Sequence, residues 1–238
     1  MLHHLPSRSA SAAVNMAEDL LLLENYGAEE NAATFRHYGW SEPAFTFGLS
    51  QSWPAVRPTV PADCALVRRA SGGGVVSHLH DWTYALTVPF AQSLCRERAT
   101  VSYKKIHQAI ADALTVQGVA AALVPCPGES CDAAEIPPHK PGVCFVLPEI
   151  YDVVRPDDGR KIAGAAQKRN RHGLLVQGSI AREMAPGLDW VLFEKTFVAQ
   201  LAALLGAEEM AVAWPVFPEE IHRETVARFA SREWNERH

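Results

Sequence analysis

The sequence predicts one α/β domain built on a mixed β-sheet. Short β-rich runs separated by turn residues alternate with segments of helical periodicity, which is typical of a sheet covered by helices. No internal repeat or linker divides the 238 residues, and a hydrophobic content of 48% is sufficient for one substantial core. We therefore expect a single domain over residues 1–238, in which residues 1–13 form a flexible leader.

The first predicted helix carries recognisable end signals. Asn15 can cap its start, Glu18 occupies the return position of a capping box, and Gly27 is expected to end it. Three further helices are predicted from the spacing of apolar residues, at 102–117, 190–205 and 219–233.

Runs rich in β-branched and aromatic residues, bounded by glycine, proline and aspartate, indicate strands. The predicted strands are residues 34–38, 44–48, 65–69, 83–89, 143–147, 151–154, 161–166 and 174–180. Residues 126–142 are rich in proline and glycine, which indicates a long irregular loop. We expect this loop near the mouth of a pocket and among the more mobile segments.

The charge of the chain argues against a nucleic-acid partner. Its net charge is −5 and its pI is near 6.1, whereas nucleic-acid binding proteins usually carry a marked basic excess. No apolar run approaches the roughly 18 residues that a membrane span requires, and residues 1–13 lack the apolar segment of a secretory signal. We expect a soluble cytoplasmic protein with no membrane partner.

The five cysteines are odd in number and irregularly spaced, in a chain too large to require disulfide staples. Cys126 and Cys131, with His139 downstream, are residue types that bind zinc, but no second pair at zinc-ribbon spacing completes a tetrahedral ligand set. We therefore predict no metal site and favour free thiols in this loop.

Two motifs point to chemistry. The first is Arg-Arg-Ala-Ser-Gly-Gly-Gly-Val-Val-Ser-His at residues 68–78, where glycine lets the backbone approach a ligand closely. The second is Lys-Ile-Ala-Gly-Ala-Ala-Gln-Lys-Arg at residues 161–169, where Lys161 opens a strand-like run of small residues. An ammonium group in such a setting can be held near a reacting carbonyl or thiolate.

These motifs, with residues 35–51 and 229–234, resemble the lipoate-ligase and octanoyltransferase superfamily over nearly the whole chain. The resemblance implies a biotin/lipoate ligase-like fold, with a mixed, mostly antiparallel sheet flanked by helices. It also identifies Lys161 as the invariant active-site lysine, and Ala165 stands where many relatives have serine. The implied substrate-binding residues are Arg68, Arg69, Ser71, Gly72, Gly73, Gly74, Gly164, Ala165 and Gln167.

A third segment concerns the choice between transferase and ligase. Cys144-Phe145, followed by Tyr151-Asp152, resembles the segment that holds the nucleophilic cysteine in the cysteine/lysine octanoyltransferases. The ligases of the family commonly show Asn-Asp where this chain has Tyr151-Asp152. The resemblance implies that Cys144 is the nucleophile. We expect Lys161 to face Cys144 across one pocket, because a nearby cation favours the reactive thiolate form of a cysteine. The alternative for Cys144 is a small buried residue.

His78 is a candidate base for the acceptor amine, and a structural hydrogen-bonding role for it remains equally open. Residues 68, 69, 168, 169 and 171 form basic spots in an acidic chain, and Arg68 or Arg69 is expected to meet a carrier or a phosphate.

The resemblance implies transfer of an octanoyl or lipoyl group from a carrier-protein thioester to a lysine of a lipoyl domain, through an acyl-enzyme on Cys144. No cofactor is expected. The expected partners are acyl carrier protein and a lipoyl-domain protein, either the H protein of glycine cleavage or the E2 component of a 2-oxoacid dehydrogenase. The alternative is a lipoate-protein ligase that acts through lipoyl-adenylate with ATP and Mg²⁺. A biotin ligase and a non-enzymatic acyl-binding subunit are weaker alternatives.

The small residues of the two motifs also predict a narrow apolar tunnel. We expect Val75, Val76 and residues 163–166 to line it, and we expect it to close near the length of an eight-carbon chain.

Overall fold

The computed structural model describes residues 1–127 and 148–237. The helices of this part are α1 (Ala12–Leu21), α2 (Gly27–Glu30), α3 (Trp53–Val56), α4 (Ser93–Arg96), α5 (Ala99–Val116), α6 (Trp190–Leu205), α7 (Glu219–Ala230) and α8 (Arg232–Asn235). Its strands are β1 (Leu2–His4), β2 (Arg8–Ala10), β3 (Ala33–Trp40), β4 (Ala44–Phe47), β5 (Ala65–Arg68), β6 (Val76–Ser77), β7 (Asp81–Pro89), β8 (Ala122–Leu123), β9 (Val153–Val154), β10 (Lys161–Asn170), β11 (Gly173–Ala181) and β12 (Glu209–Ala211).

The main sheet is mixed, as the sequence predicts. Its strand order is β12-β1-β3-β7-β11-β10-β9-β8, with β2 paired to β3. The pairs from β3 through β7, β11, β10 and β9 to β8 are antiparallel, whereas β1 runs parallel to β3 and β12. A second sheet of order β5-β4-β6 carries the start and the end of the glycine motif.

Strand alternation divides the core between the two faces of the main sheet. Leu86 and Val176 pack in one cluster with α5 and α6, while Ala85 and Leu175, one position away, pack in another with α1 and α7. Successive side chains of a strand point to opposite faces, so the buried strands β7 and β11 contribute apolar side chains to both clusters. Helices therefore cover both faces of the sheet.

The N-terminal residues are part of the sheet, and the predicted flexible leader is wrong. Leu2 and Leu5 are completely buried, and β1 lies between β3 and β12. A three-residue strand has too short a pattern to be recognised in sequence, and its partner β12 lies about two hundred positions away.

The predicted ends of the first helix are also wrong. Ser11, whose hydroxyl accepts from the Val14 N–H, caps the helix, and Asn15 lies within it and donates to two backbone carbonyls. The chain remains helical through a π-helical turn at Leu22–Tyr26 and through α2, and it leaves the helix at Asn31, whose φ is 49°. Asn15 and Glu18, which were predicted to cap the helix, make tertiary contacts with Gly39 and Arg36 instead.

The other elements agree with the sequence to within a few residues. Helix α6 begins and ends as predicted, and α5 begins three residues earlier than predicted. The strand expected at 151–154 shortens to β9 because Tyr151 has a left-handed φ of 68°. The predicted strand 143–147 and most of the predicted loop 126–142 lie outside the described residues. Within the described ranges, no helix is both long and apolar enough to cross a bilayer.

Candidate active site

A cavity of about 390 Å³ lies between the glycine motif and strand β10. Among the described residues that border it are these residues singled out in the sequence: Arg69, Gly72, Gly73, Gly74, Val76, His78, Lys161, Gly164, Ala165, Ala166 and Gln167. Two motifs about ninety residues apart in sequence thus form the walls of one cavity. Cys144 lies outside the described residues, so its distance from Lys161 remains a prediction.

Lys161 reaches the cavity from the first position of β10. Its Nζ lies 2.7 Å from Oδ2 of Asp152, which is completely buried, and the Lys161 side chain is only 8% exposed. The same carboxylate accepts hydrogen bonds from the Tyr103 hydroxyl at 2.6 Å and from the Glu149 N–H at 2.7 Å. A buried carboxylate with several donors is a stable anchor for an ammonium group. The site therefore presents a cation held in a defined position.

Arg69 organises the glycine segment from within. Its guanidinium donates to the carbonyls of Gly72 and Gly74, both at 2.9 Å. Gly73 has a φ of 85°, and the backbone of Gly48 approaches it so closely that a Cβ on Gly48 would lie 1.9 Å from the Gly73 carbonyl oxygen. The loop around the buried arginine thus requires glycine at position 73 for its backbone conformation and at position 48 for the close approach.

Arg68 and Ser71 are not among the described residues that border the cavity. The Arg68 guanidinium donates to the carbonyls of Leu49 and Gln51 and to those of Asn235 and Arg237, near the end of the chain. The geometry therefore favours an anchoring role for Arg68, in place of the predicted contact with substrate.

Ser71 belongs to a buried polar network that sequence reasoning missed. Its hydroxyl donates to Gln177 Oε1 at 2.5 Å, and the Gln177 amide donates to Asp19 at 2.6 Å. Asp19 in turn pairs with Arg36, and both are completely buried. Burial raises the pKa of Asp19 even though the Arg36 cation opposes this shift. Two features of the sequence could have indicated this network: Arg36 lies within a β-rich run, and the acidic pair Glu18-Asp19 lies in an otherwise apolar helix.

His78 borders the cavity, but both of its ring nitrogens are engaged. Nδ1 lies 2.8 Å from Asp81 Oδ2, and Nε2 lies 2.7 Å from Thr46 Oγ1. The Trp40 ring stacks on the imidazole with centroids 4.0 Å apart. Burial raises the pKa of Asp81, but the interaction with His78 and the hydrogen bonds from His78, Ser179 and Thr83 together outweigh it and leave this pKa below its usual value. These contacts favour a structural role, and a role as base stays a prediction.

The described cysteines offer no alternative nucleophile. Cys64 and Cys95 are free and buried, and neither borders the cavity in the described part of the chain. Burial raises the pKa of the Cys95 thiol, which disfavours its thiolate. Cys126 is disulfide-bonded, so the expectation of a free thiol is wrong at this position. No group of three histidine, cysteine, aspartate or glutamate residues suited to a metal ion occurs within the described ranges.

The expected lining of the tunnel is partly corrected. Val76 and residues 164–166 border the cavity, but Val75 packs against a separate small cluster with Phe47 and Val56. Ala163 is completely buried in the main core.

A family model described as the lipoyl protein ligase A/B catalytic domain matches residues 11–196. The chain is similar to octanoyltransferase LipM of Anoxybacillus flavithermus, with 30% identity over 196 residues, 80% of this chain and 68% of that protein. The protein of the same name from Bacillus cereus is 32% identical over 187 residues, 76% of this chain and 65% of that one. The match therefore spans about two thirds of the length of these relatives.

Solved structures show the same fold at lower sequence identity. A lipoate-protein ligase A bound with ATP superposes with a TM-score of 0.72 at 16% identity, over 98% of this chain and 97% of that one. A bipartite lipoate protein ligase from Thermoplasma acidophilum, solved in a study that includes its E2 lipoyl domain, gives 0.70 at 15% identity, over 98% and 95%. These likenesses confirm the predicted fold. On the family match and the identity to its relatives, the chain belongs to the lipoyl protein ligase A/B catalytic domain family.

Proposed function

We propose that this protein is an octanoyltransferase that moves an octanoyl group from acyl carrier protein to a lysine of a lipoyl domain. The observation that carries the proposal is the Lys161 ammonium, held by buried Asp152 at the wall of a cavity whose other wall is the glycine segment. The similarity to proteins named octanoyltransferase supports the choice of acyl group.

The first step is a thiol exchange. The Cys144 thiolate attacks the carbonyl carbon of the octanoyl thioester, a new C–S bond forms, and the bond to the sulfur of the carrier breaks. The departing thiolate of the carrier takes up a proton. A cation near the reacting carbonyl stabilises the negative charge that develops on its oxygen, and we assign this task to Lys161.

The second step forms the amide. The neutral amine of the acceptor lysine attacks the octanoyl-Cys144 carbonyl, a C–N bond forms, and the Cys144 thiolate leaves. The amine gives up a proton, which a nearby base or a water molecule takes up. The proposal needs no cofactor, because the thioester already carries the activation.

The partners follow from these steps. The donor is acyl carrier protein, and the acceptor is a lipoyl domain, of the glycine cleavage H protein or of a 2-oxoacid dehydrogenase E2 component. The proposal keeps the cytoplasmic location expected from the sequence.

One assay tests the proposal. Purified protein is incubated with octanoyl-acyl carrier protein and a lipoyl domain in the absence of ATP, and the intact mass of the lipoyl domain is measured. We expect an increase by one octanoyl group. If the mass changes only with free octanoate or lipoate plus ATP and Mg²⁺, the protein is a ligase and the proposal is wrong. A lipoyl domain that lacks its acceptor lysine is the matched control.

A further inference from the structure

Helix α5 contacts the segment that holds Lys161 with two side chains one turn apart. Tyr103 and His107 are four positions apart and therefore share a helix face. The Tyr103 hydroxyl lies 2.6 Å from Asp152 Oδ1, and His107 Nδ1 lies 2.6 Å from the Tyr151 carbonyl oxygen. The two rings pack with centroids 3.9 Å apart. One helix face thus supports both the carboxylate of Asp152 and the backbone before it.

The directions of the hydrogen bonds around Tyr103 are fixed by the available groups. The Ala165 N–H can only donate, and it points at the Tyr103 oxygen at 3.1 Å. The hydroxyl therefore donates its proton to Asp152. Burial, together with the negative charge of Asp152, raises the pKa of Tyr103 well above its usual value, so the hydroxyl remains a donor throughout the neutral range. Tyr103 consequently bridges strand β10 and the Asp152 carboxylate.

The orientation of the Asp152 carboxylate decides where the Lys161 ammonium can lie. Oδ1 accepts from Tyr103, while Oδ2 accepts from the Glu149 N–H and pairs with Lys161 Nζ at 2.7 Å. Without the hydroxyl, Oδ1 would lose a strong donor in a buried site. The carboxylate would then reorient toward other donors, and the Lys161–Asp152 ion pair would lose its fixed geometry.

We propose that Tyr103 is a positioning residue for acyl transfer: its hydroxyl fixes the Asp152 carboxylate, which in turn fixes the Lys161 ammonium at the cavity wall. The kinetic consequence rests on the proposed octanoyl transfer, whereas the consequence for the Lys161 amine does not. Tyr103 also borders the cavity, so a direct contact with the acyl chain is the competing explanation.

The first test is the variant Tyr103→Phe, which keeps the ring against His107 and removes only the hydroxyl. We expect kcat for octanoyl transfer to fall about tenfold with little change in KM for the donor. Tyr26→Phe is the matched control, because it removes a hydroxyl that lies 2.7 Å from His3 Nδ1 and does not border the cavity. We expect kcat of the control within about twofold of the original. A rise in KM with unchanged kcat would support direct contact and overturn the proposal.

The second test asks whether Tyr103 acts through Asp152. The variant Asp152→Asn and the double variant with Tyr103→Phe are measured together. We expect the double variant to be no slower than Asp152→Asn alone, because the second change removes a contact that no longer orients Lys161. Multiplied losses would mean that the two residues act independently, which contradicts the proposal.

The third test does not depend on activity. The rate at which a small amine-acetylating reagent modifies Lys161 is measured by mass spectrometry relative to exposed Lys195. We expect this relative rate to rise severalfold in Tyr103→Phe and to stay constant in Tyr26→Phe, since a released amine is more accessible. An unchanged rate overturns the positioning role. If the unmodified protein fails to transfer an octanoyl group from acyl carrier protein while the labelling rate rises as expected, only the proposed function is wrong.

Discussion

The Lys161 ammonium lies directly against the backbone of Gly164, three residues further along the same strand. A Cβ built on Gly164 would lie 2.4 Å from both Cε and Nζ of Lys161, and 3.1 Å from Asp152 Oδ1. Carbon and nitrogen atoms that are not bonded cannot approach so closely. The lysine therefore folds back along β10 only because residue 164 lacks a side chain.

The variant Gly164→Ala should displace the ammonium while leaving the strand intact. The new methyl group occupies the position of the Lys161 head group, so the Lys161–Asp152 ion pair must lengthen or break. We expect kcat for octanoyl transfer to fall about 10- to 100-fold, measured by the mass of the lipoyl domain over time. Thermal unfolding of the variant checks that the fold is retained.

The variant Lys161→Met is the control for other effects of the methyl group. A double variant that combines Gly164→Ala with Lys161→Met should be no slower than Lys161→Met alone, because the methyl group then has no ammonium to displace. A further loss in the double variant would show that residue 164 also limits the space for the acyl group.

Cys144→Ser should abolish transfer from the thioester donor, because a hydroxyl is far less nucleophilic than a thiolate at neutral pH. Incubation of the original protein with octanoyl-acyl carrier protein should add one octanoyl group to the peptide that contains Cys144, and the variant should add none. Cys64→Ala is the matched control, since this free thiol is buried away from the cavity. Transfer by Cys144→Ser with ATP and free lipoate would identify the ligase reaction instead.

Arg68 and Arg69 are adjacent in sequence, but substitution of Arg68 should reduce stability, whereas substitution of Arg69 should reduce activity. Arg68→Met removes charge-assisted bonds to buried carbonyls, which should lower the free energy of unfolding by about 2–4 kcal/mol and leave kcat/KM unchanged below the unfolding temperature. Arg69→Met opens the glycine segment at the cavity wall, so it should reduce kcat/KM about tenfold or more. Chemical denaturation and the transfer assay separate the two outcomes. A selective loss of activity in Arg68→Met would restore its predicted contact with substrate.

The strongly patterned parts of the chain were predictable. The helical pattern of apolar residues in α6 extends over enough residues to predict both of its ends. The two motifs, which were singled out by their resemblance to the family, contribute eleven of the described residues that border the cavity. Glycine and small residues are informative because close backbone approach tolerates few alternatives.

The rest depends on contacts between distant residues. Glu18 resembles a capping residue, but its carboxylate accepts from Arg36, which lies in β3. Tyr103 gives no motif, and its role emerges only when α5 is placed against Asp152. Such pairings are set by tertiary packing, which overrides local propensity and leaves no periodic trace in the sequence.

His107 should make the stability of the protein depend on pH. Burial lowers the pKa of His107 to about 4, from an ordinary value near 6.5. Between these values the unfolded chain binds a proton that the folded protein does not, so stability falls as the pH drops below about 6.5. From pH 7.5 to pH 5 this effect should cost about 2 kcal/mol of the free energy of unfolding.

The variant His107→Asn isolates this contribution, because its amide can still donate to the Tyr151 carbonyl and does not titrate. Denaturation curves at pH 7.5 and pH 5 should show a smaller pH dependence in the variant than in the original protein, by about 2 kcal/mol. Equal pH dependence in the two proteins would mean that His107 is already protonated in the folded state at pH 5.

Ala165 should set the acyl length that the cavity accepts. It borders the cavity beside Gly164 and Ala166, where small side chains leave room for a chain. Burying about seven carbons at roughly 0.8 kcal/mol each contributes about 5–6 kcal/mol, which selects against short acyl groups but does not separate octanoyl from lipoyl. Selection against longer chains must then come from the closed end of the cavity.

Ala165→Leu fills part of this space, so it should reduce kcat/KM for octanoyl transfer more than for a shorter donor, measured with butanoyl- and octanoyl-acyl carrier protein. Ala227→Leu, on the exposed side of α7, is the matched control and should affect neither donor. Equal losses with both donors would show that the acyl chain does not pass Ala165, and transfer of a sixteen-carbon chain by the original protein would rule out a closed end.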